Sequence, residues 1–127
     1  MCCNNKQPHL LLVDDEVKFA GNLAKRLMLR GFRVDIVHDG ESALEYVKRN
    51  HVEIMLLDIF LPDISGIEVL RVVKTHKPSI RVIMITGHGS EDDRKESLSL
   101  GAEAFLRKPF RITELIEVLS ASGGDSG

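Results

Sequence analysis

Short apolar runs alternate with one-sided helical patterns along most of the chain. Leu10–Val13, Ile54–Leu57 and Val82–Ile85 are apolar at every position, as expected of strands covered on both faces. The pattern predicts strands over His9–Val13, Arg33–Val37, Glu53–Asp58, Ile80–Ile85 and Ala104–Arg107. It predicts helices over Glu16–Arg30, Gly40–Asn50, Ser65–His76, Glu91–Leu100 and Ile112–Ser120. In the last of these, Ile112, Leu115, Ile116 and Leu119 recur at helical spacing and form a single apolar stripe. Gly31 and Gly101 fall where helices should stop.

Five strands, each followed by a helix, indicate an α/β fold around a parallel sheet. The three wholly apolar strands belong in its middle. Arg33–Val37 only partly alternates and Ala104–Arg107 is short, so both suit the edges. The simplest right-handed arrangement is 2-1-3-4-5. In that order the chain reverses direction between strands 1 and 3, and open α/β sheets bind ligands beyond the carboxyl ends of strands at such a reversal. The polar residues found there are Asp14 and Asp15 after strand 1, Asp58 at the end of strand 3, Thr86 after strand 4 and Lys108 after strand 5.

Composition adds limits. The chain has 127 residues, enough for one domain, and a net charge of −2, so no basic field favours nucleic acid or an anionic membrane. No apolar run approaches the roughly 20 residues of a membrane span. The first residues lack the apolar stretch of a secretory signal, so the protein is expected in the cytoplasm, with Cys2 and Cys3 as free thiols. The expected organisation is a disordered tail over 1–7, one domain over 8–121 and a flexible tail or linker start over 122–127.

Carboxylates gathered at one sheet edge repel; at about 5 Å and an effective dielectric near 20, each pair costs roughly 3 kcal/mol. An all-oxygen donor set calls for a hard cation, and Mg²⁺ suits one or two carboxylates with a phosphate. Lys108 and Thr86 would complete a pocket for a phosphoryl group, with Asp58, at the centre of the edge, as the carboxylate nucleophile. Taken singly these residues say little: Asp14-Asp15 before a helix is an ordinary cap, and Thr86-Gly87 an ordinary turn. Their convergence on one edge carries the reading.

Four segments carry a family resemblance: Leu-Leu-Val-Asp-Asp-Glu (11–16), Leu-Leu-Asp-Ile-Phe-Leu-Pro-Asp-Ile-Ser-Gly (56–66), Ile-Thr-Gly (85–87) and Gly-Ala-Glu-Ala-Phe-Leu-Arg-Lys-Pro-Phe (101–110). With them, the chain resembles response regulator receiver domains of two-component systems over about Pro8 to Ala121. The resemblance implies a flavodoxin-like (CheY-like) doubly wound sheet with five helices. It implies Asp58 as phosphoacceptor from a histidine kinase or histidine phosphotransfer protein, with Mg²⁺ held by Asp14, Asp15, Asp58 and the Phe60 backbone carbonyl. Thr86 and Lys108 would bind the phosphoryl group, the Lys108–Pro109 peptide would be cis, and Thr86 and Phe105 would form a switch. The switched face would be the fourth helix, fifth strand and fifth helix, acting on an output domain or downstream protein. The fourth helix has few apolar anchors and is expected to be mobile.

Some positions depart from the commonest pattern. Gly-Ala-Glu-Ala-Phe replaces the Gly-Ala-Asp-Asp-Tyr of the winged-helix subfamily. The resemblance also allows a homodimer through the fourth helix, fifth strand and fifth helix, but the fifth helix lacks Arg or Lys after Arg111, so that subfamily's charged contacts would be missing from it. Phe60 and His88 occupy positions that tune phosphate lifetime in the family, and bulky Phe60 is expected to hinder the hydrolytic water. Three other readings compete. A haloacid-dehalogenase-type phosphatase would need an Asp where Phe60 stands. A phosphate-independent, degenerate receiver conflicts with the complete residue set. A flavin-binding domain would need a Gly/Ser/Thr-rich loop where the chain is acidic.

Overall fold

The protein, described here from a computed structural model, is defined over residues 7–124. The expected tail through Lys6, with Cys2 and Cys3, and residues 125–127 lie outside the described residues. Strands and helices alternate as β1 (His9–Val13), α1 (Val17–Leu29), β2 (Arg33–Val37), α2 (Gly40–Arg49), β3 (Ile54–Asp58), α3 (Gly66–His76), β4 (Arg81–Thr86), α4 (Glu91–Ser99), β5 (Ala104–Arg107) and α5 (Ile112–Gly124). The strands form one parallel sheet in the order β2-β1-β3-β4-β5.

The wholly apolar strands are apolar because each serves two cores. Leu11, Val13, Met55, Leu57, Val82 and Met84 pack with Ala43 and Val47 of α2 and Val69, Leu70 and Val73 of α3. The alternate residues Leu10, Leu12, Ile54, Leu56, Ile83 and Ile85 pack with Ala20, Leu23 and Leu27 of α1 and Leu115 and Leu119 of α5. Successive strand residues point to opposite faces, so a sheet covered on both sides cannot alternate apolar with polar. The edge strands β2 and β5 are the less buried ones.

Helix ends account for most differences from the expected bounds. Ser65, counted inside the third helix, is instead its cap, accepting from the Ile67 amide at 3.0 Å. Ser90 and Asp93 close a reciprocal capping box on α4, both bonds at 3.0 Å. Gly31 and Gly101, at φ 96° and 111°, take the left-handed conformation that lets the chain leave α1 and α4. The fifth helix differs from the expected end at Ser120: α5 runs to Gly124. Within it Leu119 is buried, and Arg81 donates to the Leu119 carbonyl at 3.0 Å. The helix α4 has one buried residue, Ser97, whose hydroxyl has no hydrogen-bond partner.

Candidate functional site

Parallel strands of matched register end together, and their next residues therefore meet. Val13 pairs with Leu57, which places Asp14 beside Asp58, and Asp58 pairs with Ile85, the residue before Thr86. Thr86 in turn pairs with Arg107, the residue before Lys108. Oxygens of Asp14, Asp15 and Asp58 lie within 4.8 Å of one another, with Asp14 and Asp58 buried and Asp15 exposed. Lys108 Nζ reaches across the sheet to Asp14 Oδ2 at 2.7 Å, Glu16 Oε1 at 3.1 Å and Asp58 Oδ2 at 3.2 Å. The Lys108–Pro109 peptide is cis.

The local geometry leaves these carboxylates unspent. Neither Asp14 nor Asp15 caps α1, whose cap residue Glu16 makes no side-chain cap bond. Asp14 Oδ1 accepts only from the Glu16 amide, at 2.9 Å. Its Oδ2, fully buried, faces the Lys108 ammonium at 2.7 Å. Asp58 Oδ1 accepts a long 3.3 Å bond from the Phe60 amide. Gly66 is required behind the site: a Cβ there would collide with the Asp58 carbonyl, and its amide donates to the Ile59 carbonyl at 2.7 Å.

Charge is unbalanced. Asp14, Glu16 and Asp58 share one ammonium, and Asp15 adds a fourth carboxylate to the cluster. Burial pushes the Asp14 carboxyl above its ordinary range, against the pull of Lys108 and the Glu16 amide. Burial also disfavours the Lys108 ammonium, yet Asp14, Asp58 and Glu16 together hold its pKa above the usual lysine value. Both shifts describe a pocket short of positive charge. The excess of carboxylates over ammonium and an all-oxygen donor set fit a hard divalent cation.

The remaining sequence-chosen residues flank this centre. Thr86 is fully buried, and its hydroxyl accepts from the His88 amide at 3.2 Å. Phe60, 52% exposed, stands edge-to-face with His88, ring centroids 6.4 Å apart, so the two meet at the mouth of the site. Phe105 is partly buried, with the Arg107 guanidinium 5.2 Å from its ring centroid.

Three further residues enter that the sequence reading had not singled out. Glu16 shares Lys108. Phe19 of α1 sets its ring centroid 4.3 Å from Lys108 Nζ. Gly89 separates Thr86 from Phe105: a Cβ there would lie 2.7 Å from Thr86 Cγ2 and 2.6 Å from Phe105 Cζ. The Gly87-His88-Gly89 triplet was the one visible signal for the last.

Comparison with known proteins agrees with the geometry. The family model described as response regulator receiver domain matches residues 10–120. The transcriptional regulatory protein CpxR of Escherichia coli (strain K12) is 40% identical over 113 residues, 88% of this chain and 47% of that protein. The sensory transduction protein RegX3 of Mycolicibacterium smegmatis is 39% identical over 112 residues, 88% of this chain and 49% of that protein. The chain thus spans about half the length of these curated relatives. A CheY-like response regulator receiver domain protein from Methanospirillum hungatei JF-1 superposes with a TM-score of 0.89 at 28% identity, covering 92% of this chain and 94% of that one.

Proposed function

The chain belongs to the response regulator receiver family, and from that premise we propose that Asp58 accepts a phosphoryl group from a phosphohistidine donor, a histidine kinase or histidine phosphotransfer protein. The observation that carries this reading is the position of Lys108 Nζ, 2.7 Å from Asp14 and 3.2 Å from Asp58, in a cluster of carboxylates that outnumber it. Asp14, Asp15, Asp58 and the Phe60 carbonyl would hold Mg²⁺, which when bound supplies charge neutralisation to the phosphoryl oxygens. The Asp58 carboxylate forms the new O–P bond as the donor N–P bond breaks, and the electron pair leaves with the imidazole nitrogen. Lys108 offsets charge on the transferring oxygens, and the Thr86 hydroxyl donates a hydrogen bond to one of them.

Receiver domains regulate, and this one acts as a regulatory module rather than on a substrate of its own. The unit we assign to this role is residues 8–121. Turning Thr86 toward the phosphoryl group would free space beside Phe105 and alter the α4-β5-α5 face that meets an output domain or partner protein. The poor anchoring of α4 on Ser97 supports that face as the movable one. A homodimer through the same α4-β5-α5 face is a further arrangement for the switch, made without bases on α5 after Arg111.

The test is incubation with Mg²⁺ and acetyl phosphate, followed by intact mass and peptide mapping. One added phosphoryl group on Asp58, absent without Mg²⁺, is expected; modification elsewhere or none overturns the reading. Phe60 and His88, which meet over the site, are assigned to phosphate lifetime. Phe60→Asn should shorten it, and equal lifetimes in the two proteins would remove that assignment.

A further inference from the structure

Lys108 is held by more than carboxylates. Its ammonium has three donors, and the three oxygens around it belong to Asp14, Glu16 and Asp58. Two of these residues are the ones a cation or a phosphoryl group would engage, and oxygens so engaged are not free to fix the lysine. The Phe19 ring contributes an attraction that no cation competes for. Its centroid lies 4.3 Å from Lys108 Nζ, well inside the roughly 6 Å reach of a cation–π contact. The lysine side chain is only 10% exposed, and a desolvated ammonium gains most from a ring face.

The ring is itself held. Phe110 stands edge-on to Phe19 at 6.1 Å and 85°, a favourable arrangement for two aromatic quadrupoles. Phe110 follows Lys108 by two residues, so the segment that delivers the ammonium also supplies the brace for the ring beneath it. A side chain needed only to fill space between α1 and the sheet would not have to present its face to a cation, and leucine would serve.

We propose that Phe19 is a positioning residue for phosphoryl transfer, its ring face holding the Lys108 ammonium in place while the carboxylates engage their ligands. The proposal rests on the reading of Asp58 as phosphoacceptor. It is tested in the full chain with Phe19→Leu, Phe19→Tyr and Phe19 replaced by a trifluorinated phenylalanine, which keeps the shape and depletes the ring face of electron density. Acetyl phosphate as donor excludes kinase docking from the measured rate. Phe19→Leu and the fluorinated ring should each slow uptake about fivefold, and Phe19→Tyr should stay within about twofold of wild type.

The second readout needs no phosphate. The Lys108 ε-methylene resonances should lie upfield in the wild type, under the ring current of Phe19, and return toward ordinary lysine values in Phe19→Leu. If the wild type takes no phosphate, the receiver chemistry fails while the resonance still decides whether the ring holds the lysine. An unshifted Lys108 in the wild type, or a fluorinated variant as fast as wild type, overturns the proposal. Should Phe19→Leu fail to fold, the fluorinated and tyrosine variants carry the decision.

Discussion

The two ends of β1 hold polar clusters of opposite character. At the amino end, His9 Nδ1 donates to the His51 carbonyl at 2.7 Å, and Nε2 lies 2.8 Å from both Asp35 Oδ2 and the Tyr46 hydroxyl. Tyr46 donates to Asp35 in turn. At the carboxyl end, Asp14 and Asp58 share one lysine with Glu16, so three carboxylates draw on a single ammonium. The aspartates record the difference. The Tyr46 hydrogen bond, with help from His9, holds Asp35 below its ordinary value, whereas burial drives Asp14 above its own. A closed network fastens strands together; an open one of like charges keeps binding capacity in reserve and weakens the fold locally until a ligand completes it.

The comparison is tested most severely at Lys108. Replacing it with alanine leaves the carboxylates without a cation and removes a group aimed at developing charge. Phosphoryl uptake from acetyl phosphate should fall about a hundredfold, while Tyr46→Phe at the other end should leave the rate unchanged. Timed intact-mass measurements on both variants check this. A Lys108→Ala protein near the wild-type rate would dissolve the distinction between the ends.

His9→Ala should show the reverse profile. It strands the His51 carbonyl and deprives Asp35 and Tyr46 of their buried partner, so stability should drop by about 2 kcal/mol. Urea midpoints measure the loss. Uptake rates at a temperature where the variant remains folded should match the wild type; a slowed rate would mean the two ends are coupled through β1.

Asp14→Asn should instead stabilise the metal-free protein at pH 8, by about 1 kcal/mol, because an amide is cheaper than a carboxylate to bury. The sign follows from the raised pKa of Asp14. A carboxyl whose native pKa exceeds its unfolded value favours the fold below that unfolded value, and the advantage is lost as pH rises through the native one. The gain from asparagine should therefore vanish in acid. Added Mg²⁺ should raise the wild-type midpoint and leave the variant's nearly fixed. A variant less stable than wild type at pH 8 without metal would contradict the account of this end as strained.

How far the sequence revealed each end depended on what kind of signal it left. The sheet was legible because Leu10–Val13, Ile54–Leu57 and Val82–Ile85 carry no polar position, which only a doubly covered strand tolerates. Asp14, Asp58, Thr86 and Lys108 were legible because each directly follows or ends a strand, and parallel register then gathers them. Phe19 and Glu16 left no such mark: both sit at the start of a helix, and their partner Lys108 lies about ninety positions away. Gly89 matters only because Thr86 and Phe105 close on it from two strands. The amino-end cluster was missed although Asp35 interrupts a strand, since a lone acid on an edge strand is as consistent with solvent as with a partner. The expected end of α5 falls short because the Ser and Gly after Ser120 read locally as a helix stop.

The smallest effect sharpens the comparison most, since it sets two aspartates against each other in one titration. Asp35 has a lowered pKa, caused first by the Tyr46 hydrogen bond. A group depressed in this way favours the fold above its unfolded value, near 3.8, and the contribution is lost as pH falls through the lower native value. Tyr46→Phe removes the principal cause. It should lower the urea midpoint slightly at neutral pH, and the gap to wild type should close on acidification below pH about 4. Tyr46 itself is pushed up to about 12 by burial and Asp35, so its own ionisation stays out of this range. The Asp14→Asn gain also disappears in acid, but there the wild type recovers what it had lacked, while at Asp35 it loses what it had. Midpoints for the three proteins from pH 2.5 to 8 should show the Tyr46→Phe curve meeting the wild type from below and the Asp14→Asn curve meeting it from above. Two curves approaching from the same side would mean that the ends of β1 do not differ in sign.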